Sequence, residues 1–220
     1  MDEMLVRMEN GGRTYSRGKT PVIAVASATC TVIPRDRIAL MGPSGSGKST
    51  LLHLLGGLDI LTSGSLTWPA LGARDTLRPA KVGLVFQTPS LLAPLTVVEN
   101  VEIPLLLGKD SAEKARAAAL DALDRIGLRS IADKLPEELS GGQAQRVAVA
   151  RALASSPKLI LADEPTGQLD HPTAQHLFDV LLASLEGTQT ALVVATHDRT
   201  VAERMNTLWH MQHGILEVNA

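Results

Sequence analysis

Gly42-Pro43-Ser44-Gly45-Ser46-Gly47-Lys48-Ser49 fills every fixed position of the pattern G-x-x-x-x-G-K-[ST]. Its flanks supply the required context. Arg37-Ile38-Ala39-Leu40-Met41 reads as a buried strand ahead of it, and residues 48–55 read as a helix behind it. Three glycines let the backbone curl so that successive N–H groups face inward and cradle an anion. The positive end of the following helix adds to that attraction. Lys48 offers a point charge for β- and γ-phosphates, and the Ser49 hydroxyl can ligate Mg²⁺. The bland alternative is a Gly-rich turn with an accidental Lys-Ser, and the strand and helix on either side count against it. Alone, the motif implies a bound nucleoside triphosphate and no more.

Outward from this loop, strands and helices alternate, the pattern of an α/β domain. Residues 82–85, 158–162 and 191–195 read as apolar strands, and residues 172–186 as a helix with Pro172 near its start and Gly187 just beyond its end. Residues 207–212 and 215–218 flank His213-Gly214 as a hairpin. From 96 to 154 the periodicity is helical instead. Thr96-Val97-Val98-Glu99 and Asp110-Ser111-Ala112-Glu113 resemble helix-opening caps, and Ser140-Gly141-Gly142-Gln143 has capping-box spacing, with Ser140 capping a helix that runs to 154. The expected organisation is one domain, 1–220, with a helical subdomain at about 90–154 inserted in the α/β core.

Leu159-Ile160-Leu161-Ala162-Asp163-Glu164 is an apolar strand ending in two acids. That places carboxylates at the edge of a parallel sheet, where such folds bind ligands. Asp163 is positioned to hold a Mg²⁺ shell, and Glu164 is the candidate general base that polarises an attacking water. Two acids at a strand end also suit a solvated turn, but the phosphate loop gives them a purpose.

Bulk properties set outer bounds. The chain has 220 residues, 45% of them hydrophobic and 20% charged, enough for one domain with a sizeable core. A net charge of −2 argues against nucleic acid as the main partner. The single cysteine, Cys30, has no internal disulfide partner and reads as a buried strand residue in a reducing compartment. The most apolar stretches, 22–33 and 51–61, are short and interrupted, and Met1-Asp2-Glu3 does not open a secretory signal. The expectation is a soluble, cytoplasmic chain whose membrane role comes through a partner.

Leu139-Ser140-Gly141-Gly142-Gln143, with Gln87, Asp170 and His197 in the right order, resembles the ATPase subunits of ABC transporters over essentially the whole chain. The resemblance implies a P-loop NTPase (RecA-like) core with an N-terminal antiparallel β region and an inserted α-helical subdomain. It implies ATP and Mg²⁺ as cofactors, with residues 42–50, Gly42 to Thr50, holding the nucleotide and Tyr15 stacking on adenine. Ser49, Gln87 and Asp163 would attend the metal, and Lys48, Gln87, Glu164 and His197 the reaction. The family's LSGGQ-type segment contacts ATP on the opposite subunit of a head-to-tail dimer, and Asp170 matches the loop crossing that interface. The residues are compatible: Ser140, Gly141 and Gly142 would form a second anion-seeking helix start, far along the chain from Lys48. Implied partners are a second copy of the chain, or a homologous ATPase subunit, and an integral membrane permease on whose cytoplasmic side the pair works.

Leu51-Leu52-His53-Leu54-Leu55-Gly56-Gly57-Leu58-Asp59 and Glu164-Pro165-Thr166-Gly167 are similar to the lipoprotein-release, macrolide-export and cell-division branch. Residues 66–81, with the turn Pro69-Ala70-Leu71-Gly72, look shorter than that branch's pattern. An alternative with the same motifs is a regulatory ATPase whose membrane partner transmits force and moves no solute. A chromosome-structure ATPase would need a long coiled coil, and a small-molecule kinase would leave residues 139–143 without purpose. The apolar residues Phe86, Pro89, Leu91, Leu92, Pro94, Leu95, Val97 and Val98 predict a partner-docking groove lined by residues 87–101.

Overall fold

The computed structural model describes residues 3–17, 20–108 and 110–219. Met1 and Asp2, part of the N-terminal reading, lie outside them. The chain forms two compact units, Met1–Leu77 with Leu161–Asp163 and Ala191–Ala220, and Arg78–Ile160 with Glu164–Thr190.

In the first unit β1 (Val6–Arg17) pairs antiparallel with β2 (Thr20–Val32) and, along its other edge, with β4 (Ser63–Thr67). This is the N-terminal antiparallel region. β3 (Arg37–Met41) runs parallel between β7 (Ala191–Thr196) and β8 (Thr207–Gln212), and β9 (Ile215–Asn219) returns antiparallel on β8. The order is β4-β1-β2-β9-β8-β3-β7. All six residues of β7 are buried, as expected of a parallel strand covered on both faces, which explains why it reads as an uninterrupted apolar run. The register sets Met41 level with Thr196 on one side and with His210 on the other, so three strand ends share one edge. α1 (Lys48–Leu55) leaves β3 through the phosphate loop and buries Leu51, Leu52, Leu54 and Leu55. Each such side chain contributes about 1.5–3 kcal/mol. Cys30 is buried in β2, where desolvation pushes its thiol up to about 12, so it stays an inert thiol.

In the second unit β5 (Val82–Val85) precedes α2 (Val97–Leu107), α3 (Ala112–Arg125) and α4 (Gly141–Leu153), and α5 (His171–Leu185) follows. β6 (Leu159–Asp163) begins in this unit and ends in the first. The caps account for the helix starts. Thr96 and Ser140 each close a capping box, with Glu99 and Gln143. The cap of α3 is Ser111, one residue beyond the Asp110 that opens the capping run, because its hydroxyl accepts from Lys114 N–H. The three helices share a core of Val97, Val98 and Val101 from α2, Ala119 and Leu123 from α3, and Val147 from α4. α3 contributes at i, i+4, i+7 and i+8 through Ala115, Ala119, Ala122 and Leu123, one apolar stripe. Among the described residues no helix is long and apolar enough to cross a membrane.

Candidate active site

The phosphate loop is shaped by close backbone approaches. A Cβ on Gly47 would stand 2.1 Å from the Ala24 carbonyl oxygen, and Gly47 holds φ 106. A Cβ on Gly42 would stand 2.1 Å from the Met211 carbonyl oxygen. No side chain fits either place, so the spacing of the motif is fixed by β2 and β8 pressing on the loop. Lys48 is buried, and its ammonium donates to the carbonyls of Gly42 at 2.9 Å and Pro43 at 3.1 Å. It therefore spans the mouth of the loop it serves. The buried Ser46 hydroxyl has no hydrogen-bond partner, while Pro43, Ser44 and Gly45 stand exposed. Ser49 and Thr50 lie in the first turn of α1, with Ser49 exposed.

His197 leaves the end of β7 and lines a hollow of about 590 Å³ with Met41, Gly42, Arg199 and His210. It thus stands beside the phosphate loop. The turn behind it is pinned, because Asp198 N–H donates to the Thr196 hydroxyl and the Asp198 carboxylate accepts from Thr200. Asp163 ends β6, half-buried. Asp163 and Ser49 offer hard oxygen donors, and Mg²⁺ bound with a nucleotide needs only one or two protein oxygens beside water and phosphate. The donor set of this unit fits that ion.

Tyr15 is tied on two sides. Its hydroxyl donates to Asp59 at 2.6 Å, and the Arg13 guanidinium lies 4.5 Å from its ring centroid while also pairing with Asp59 at 2.8 Å. Burial pushes the Asp59 carboxyl up, but the Tyr15 hydroxyl, the Ile60 N–H and Arg13 outweigh it and hold the group below the usual carboxylate range. The half-buried ring is thus fixed in place by its neighbours.

The second unit gathers the remaining candidates. Glu164 adopts φ 44, a left-handed conformation that a glutamate rarely takes. Its carbonyl accepts from Gly167 N–H at 3.0 Å. A Cβ built on Gly167 would find Glu164 Oε2 at 3.4 Å and Gln87 Nε2 at 3.5 Å, so the two side chains converge over this glycine. The signature turn and the loop after it converge as well. Ser140, Gly141, Gly142 and Gln143 line a hollow of about 410 Å³ with Gln168, Leu169 and Asp170. The Ser140 hydroxyl accepts from Gln143 N–H and the Gln143 side chain accepts from Ser140 N–H. The capping box uses those two donors and leaves the Gly141 and Gly142 N–H groups at the open end of α4, where a helix has no internal acceptors. Leu139 stays half-buried against the helical core.

Three side chains that sequence reasoning passed over hold the segment around Gln87. Gln145 donates to the Phe86 carbonyl at 3.0 Å, and Arg151 donates to Pro89 and Ser90 carbonyls at 2.8 and 2.9 Å. Asn100, wholly buried, donates to the Leu92, Leu95 and Thr96 carbonyls and accepts from Leu92 N–H. The available signal was polar residues on otherwise apolar helix faces, beside Val147 in α4 and Val101 in α2.

The apolar groove exists with a different lining from the one expected. Its volume is about 680 Å³, and its walls come from Pro79, Leu84, Phe86 and Leu92, the end of α2 at Ile103, Pro104 and Leu107, and Arg151 of α4. Val97 and Val98 are fully buried in the helical core and Leu91 packs against it, because the α2 start must cover α3. Leu92 and Leu107 remain 51% and 69% exposed.

The ABC transporter family profile matches residues 8–167. The lipoprotein-releasing system ATP-binding protein LolD of Legionella pneumophila is 41% identical over 223 residues, covering 98% of each chain. LolD of Pseudomonas fluorescens is 44% identical over 213 residues, covering 93% of each. Among solved structures, a dimeric post-hydrolysis state of the ATP-binding cassette MJ0796 bound to ADP and Pi superposes with a TM-score of 0.86 at 37% identity, covering 96% of each chain.

Proposed function

The chain belongs to the ABC transporter family, and from that premise we propose that two copies close head to tail on ATP and drive a separate membrane subunit of the lipoprotein-release type. The chain is the ATPase of such a system. The observation that carries the head-to-tail reading is the hollow at the start of α4. Two glycine N–H groups, a serine cap and Asp170 frame an anion-seeking helix end that has no acid in its first turn. A positive helix end shaped this way suits a terminal phosphate. The similar cassette is a dimer with ADP and Pi bound, which supports a dimer that acts on nucleotide.

Each residue then has a task. Residues 42–50 wrap the β- and γ-phosphates, and Lys48 exchanges the loop carbonyls for phosphate oxygens. Ser49 and Asp163 would hold Mg²⁺ with help from Gln87, and the ion would supply charge neutralisation on the phosphate oxygens. Glu164 takes a proton from the attacking water, Gln87 orients that water, and His197 steadies the γ-phosphate. Tyr15 stacks on adenine. Residues 90–154 act as the helical subdomain. The membrane subunit seats a short helix in the apolar groove around Leu92 and Leu107, and the ATPase works from the cytoplasmic side.

The test mixes two defective proteins. Ser140→Arg spoils the signature and Lys48→Ala spoils the phosphate loop. A mixed head-to-tail dimer concentrates both defects in one site and leaves the other whole. The expected result is hydrolysis well above either parent alone. Activity no higher than the parents, in heterodimers shown to form by mass, overturns the arrangement.

A further inference from the structure

We infer that Arg151 is a positioning residue for Gln87, which it serves by gripping the backbone just beyond it, with Gln145 gripping the backbone just before it. This inference rests on the proposed role of Gln87 in orienting water.

Within the stretch 86–90 the Ser90 hydroxyl donates to the Thr88 carbonyl at 3.1 Å. Pro89 has no N–H to give, and Ser90 sits at φ 50, a conformation that non-glycine residues rarely adopt. The geometry of the stretch is imposed from α4. Gln145 Nε2 takes the Phe86 carbonyl at 3.0 Å, while Arg151 Nη2 and Nη1 take the successive carbonyls of Pro89 and Ser90 at 2.8 and 2.9 Å. Gln87 and Thr88 lie between these two grips. Gln145 is almost wholly buried, and burial pushes the Arg151 pKa down from its ordinary value. A planar guanidinium fork sets the spacing of two neighbouring carbonyls with two separate nitrogens, whereas a lysine ammonium is one nitrogen on a flexible stem and imposes no such spacing. The grip therefore fixes where Gln87 Nε2 stands, which is over Gly167 beside the Glu164 carboxylate.

Arg151 also forms part of the groove wall with Phe86 and Leu92. It thus touches both the groove and the backbone of the Gln87 segment. α4 begins at the signature turn and carries both gripping residues, six positions apart, or about 9 Å along the helix. A rigid rod with the signature at one end and Gln87 held along its flank transmits displacement without needing a flexible loop. The competing account is that Arg151 and Gln145 only satisfy buried carbonyls, in which case their loss costs stability alone.

A double-mutant cycle on the full chain separates the two. Arg151→Lys keeps charge and stem but loses the fork, and Gln145→Met keeps volume but loses the donor. Each is made in the parent and in Gln87→Ala, and kcat, KM for ATP and thermal midpoint are measured. Displacing a positioned group by about 1 Å costs up to about 100-fold, so Arg151→Lys should lower kcat between about 10- and 100-fold with KM unchanged. In the Gln87→Ala background, where there is nothing left to position, it should lower kcat no further. A parent-like kcat in a folded Arg151→Lys protein, or an effect of equal size in both backgrounds, overturns the inference while Gln87 keeps its role. A parent-like kcat for Gln87→Ala overturns the role of Gln87 and the inference with it. If Arg151→Lys fails to fold, Gln145→Met runs the same cycle, with the same outcomes deciding.

Discussion

Glu164 occupies φ 44 at the end of β6, and replacing it tests whether that strain is held for chemistry. For an L-residue the left-handed region costs about 1–2 kcal/mol. Glycine would release that cost but would lose about 0.5–1 kcal/mol of its own through unfolded-state freedom. Glu164→Gly should therefore leave the fold equally stable or up to about 1.5 kcal/mol more stable. In a chain of this length that is a rise of up to about 3–6 °C in Tm. Glu164→Gln keeps the backbone cost and the side-chain shape over Gly167, so its Tm should match the parent. Both variants lack the carboxylate, and loss of a general base slows turnover by about 10²–10⁴-fold, or roughly 3–5 kcal/mol on the barrier. The assay is a thermal melt without nucleotide, ATPase turnover, and mass measurement with ATP, where Glu164→Gln should accumulate as a nucleotide-bound dimer. A Glu164→Gly protein that melts many degrees lower would mean that the side chain holds the turn together. Near-normal turnover by Glu164→Gln would refute the general-base role outright.

Two further tests concern the groove of the second unit and the Tyr15 cluster of the first. Leu107→Glu and Leu92→Glu change groove residues that are already 69% and 51% exposed, so both should fold and hydrolyse ATP with Tm within about 2 °C of the parent yet fail to co-purify with the membrane subunit. Recovery of the complex in normal yield would move the docking surface elsewhere. Asp59 has its folded pKa held below its unfolded value of about 3.9, so its stabilising contribution is full above that pH and is lost as pH falls through the lower folded value. Asp59→Asn should lower Tm at pH 7 by no more than about 2–4 °C, the scale of one partly exposed ion pair. That gap should begin to shrink below about pH 4 and vanish as pH falls through the lower folded value, and a gap independent of pH would show that the carboxylate charge is not what ties Arg13 and Tyr15.

The local elements were legible because each was written in local chemistry. Residues 37–41, 48–55 and 82–85 form the strand, helix and strand expected, and the 207–212 and 215–219 hairpin closes at His213-Gly214. The capping boxes at Thr96 and Ser140 are short-range hydrogen bonds that depend only on residue type and spacing. The phosphate loop was equally clear, since its glycines and lysine must follow one another directly. Family membership followed from the order of such motifs along the chain.

Only the tertiary structure decided the rest, because it depends on residues far apart in sequence. Gly42 and Gly47 are forced by carbonyls of Met211 and Ala24, which no local pattern announces. Val97 and Val98 looked like groove residues and are core, since apolar character does not say which neighbour covers it, and Leu107 took their place at the surface. Gln145 and Arg151 read as helix formers in α4. Their function appears only once β5 brings the Phe86, Pro89 and Ser90 carbonyls within reach of α4. Glu164 and Gln87 were each named from sequence, but their convergence over Gly167 is a matter of packing. The sequence could name the chemical groups, and folding set the distances on which their joint action depends.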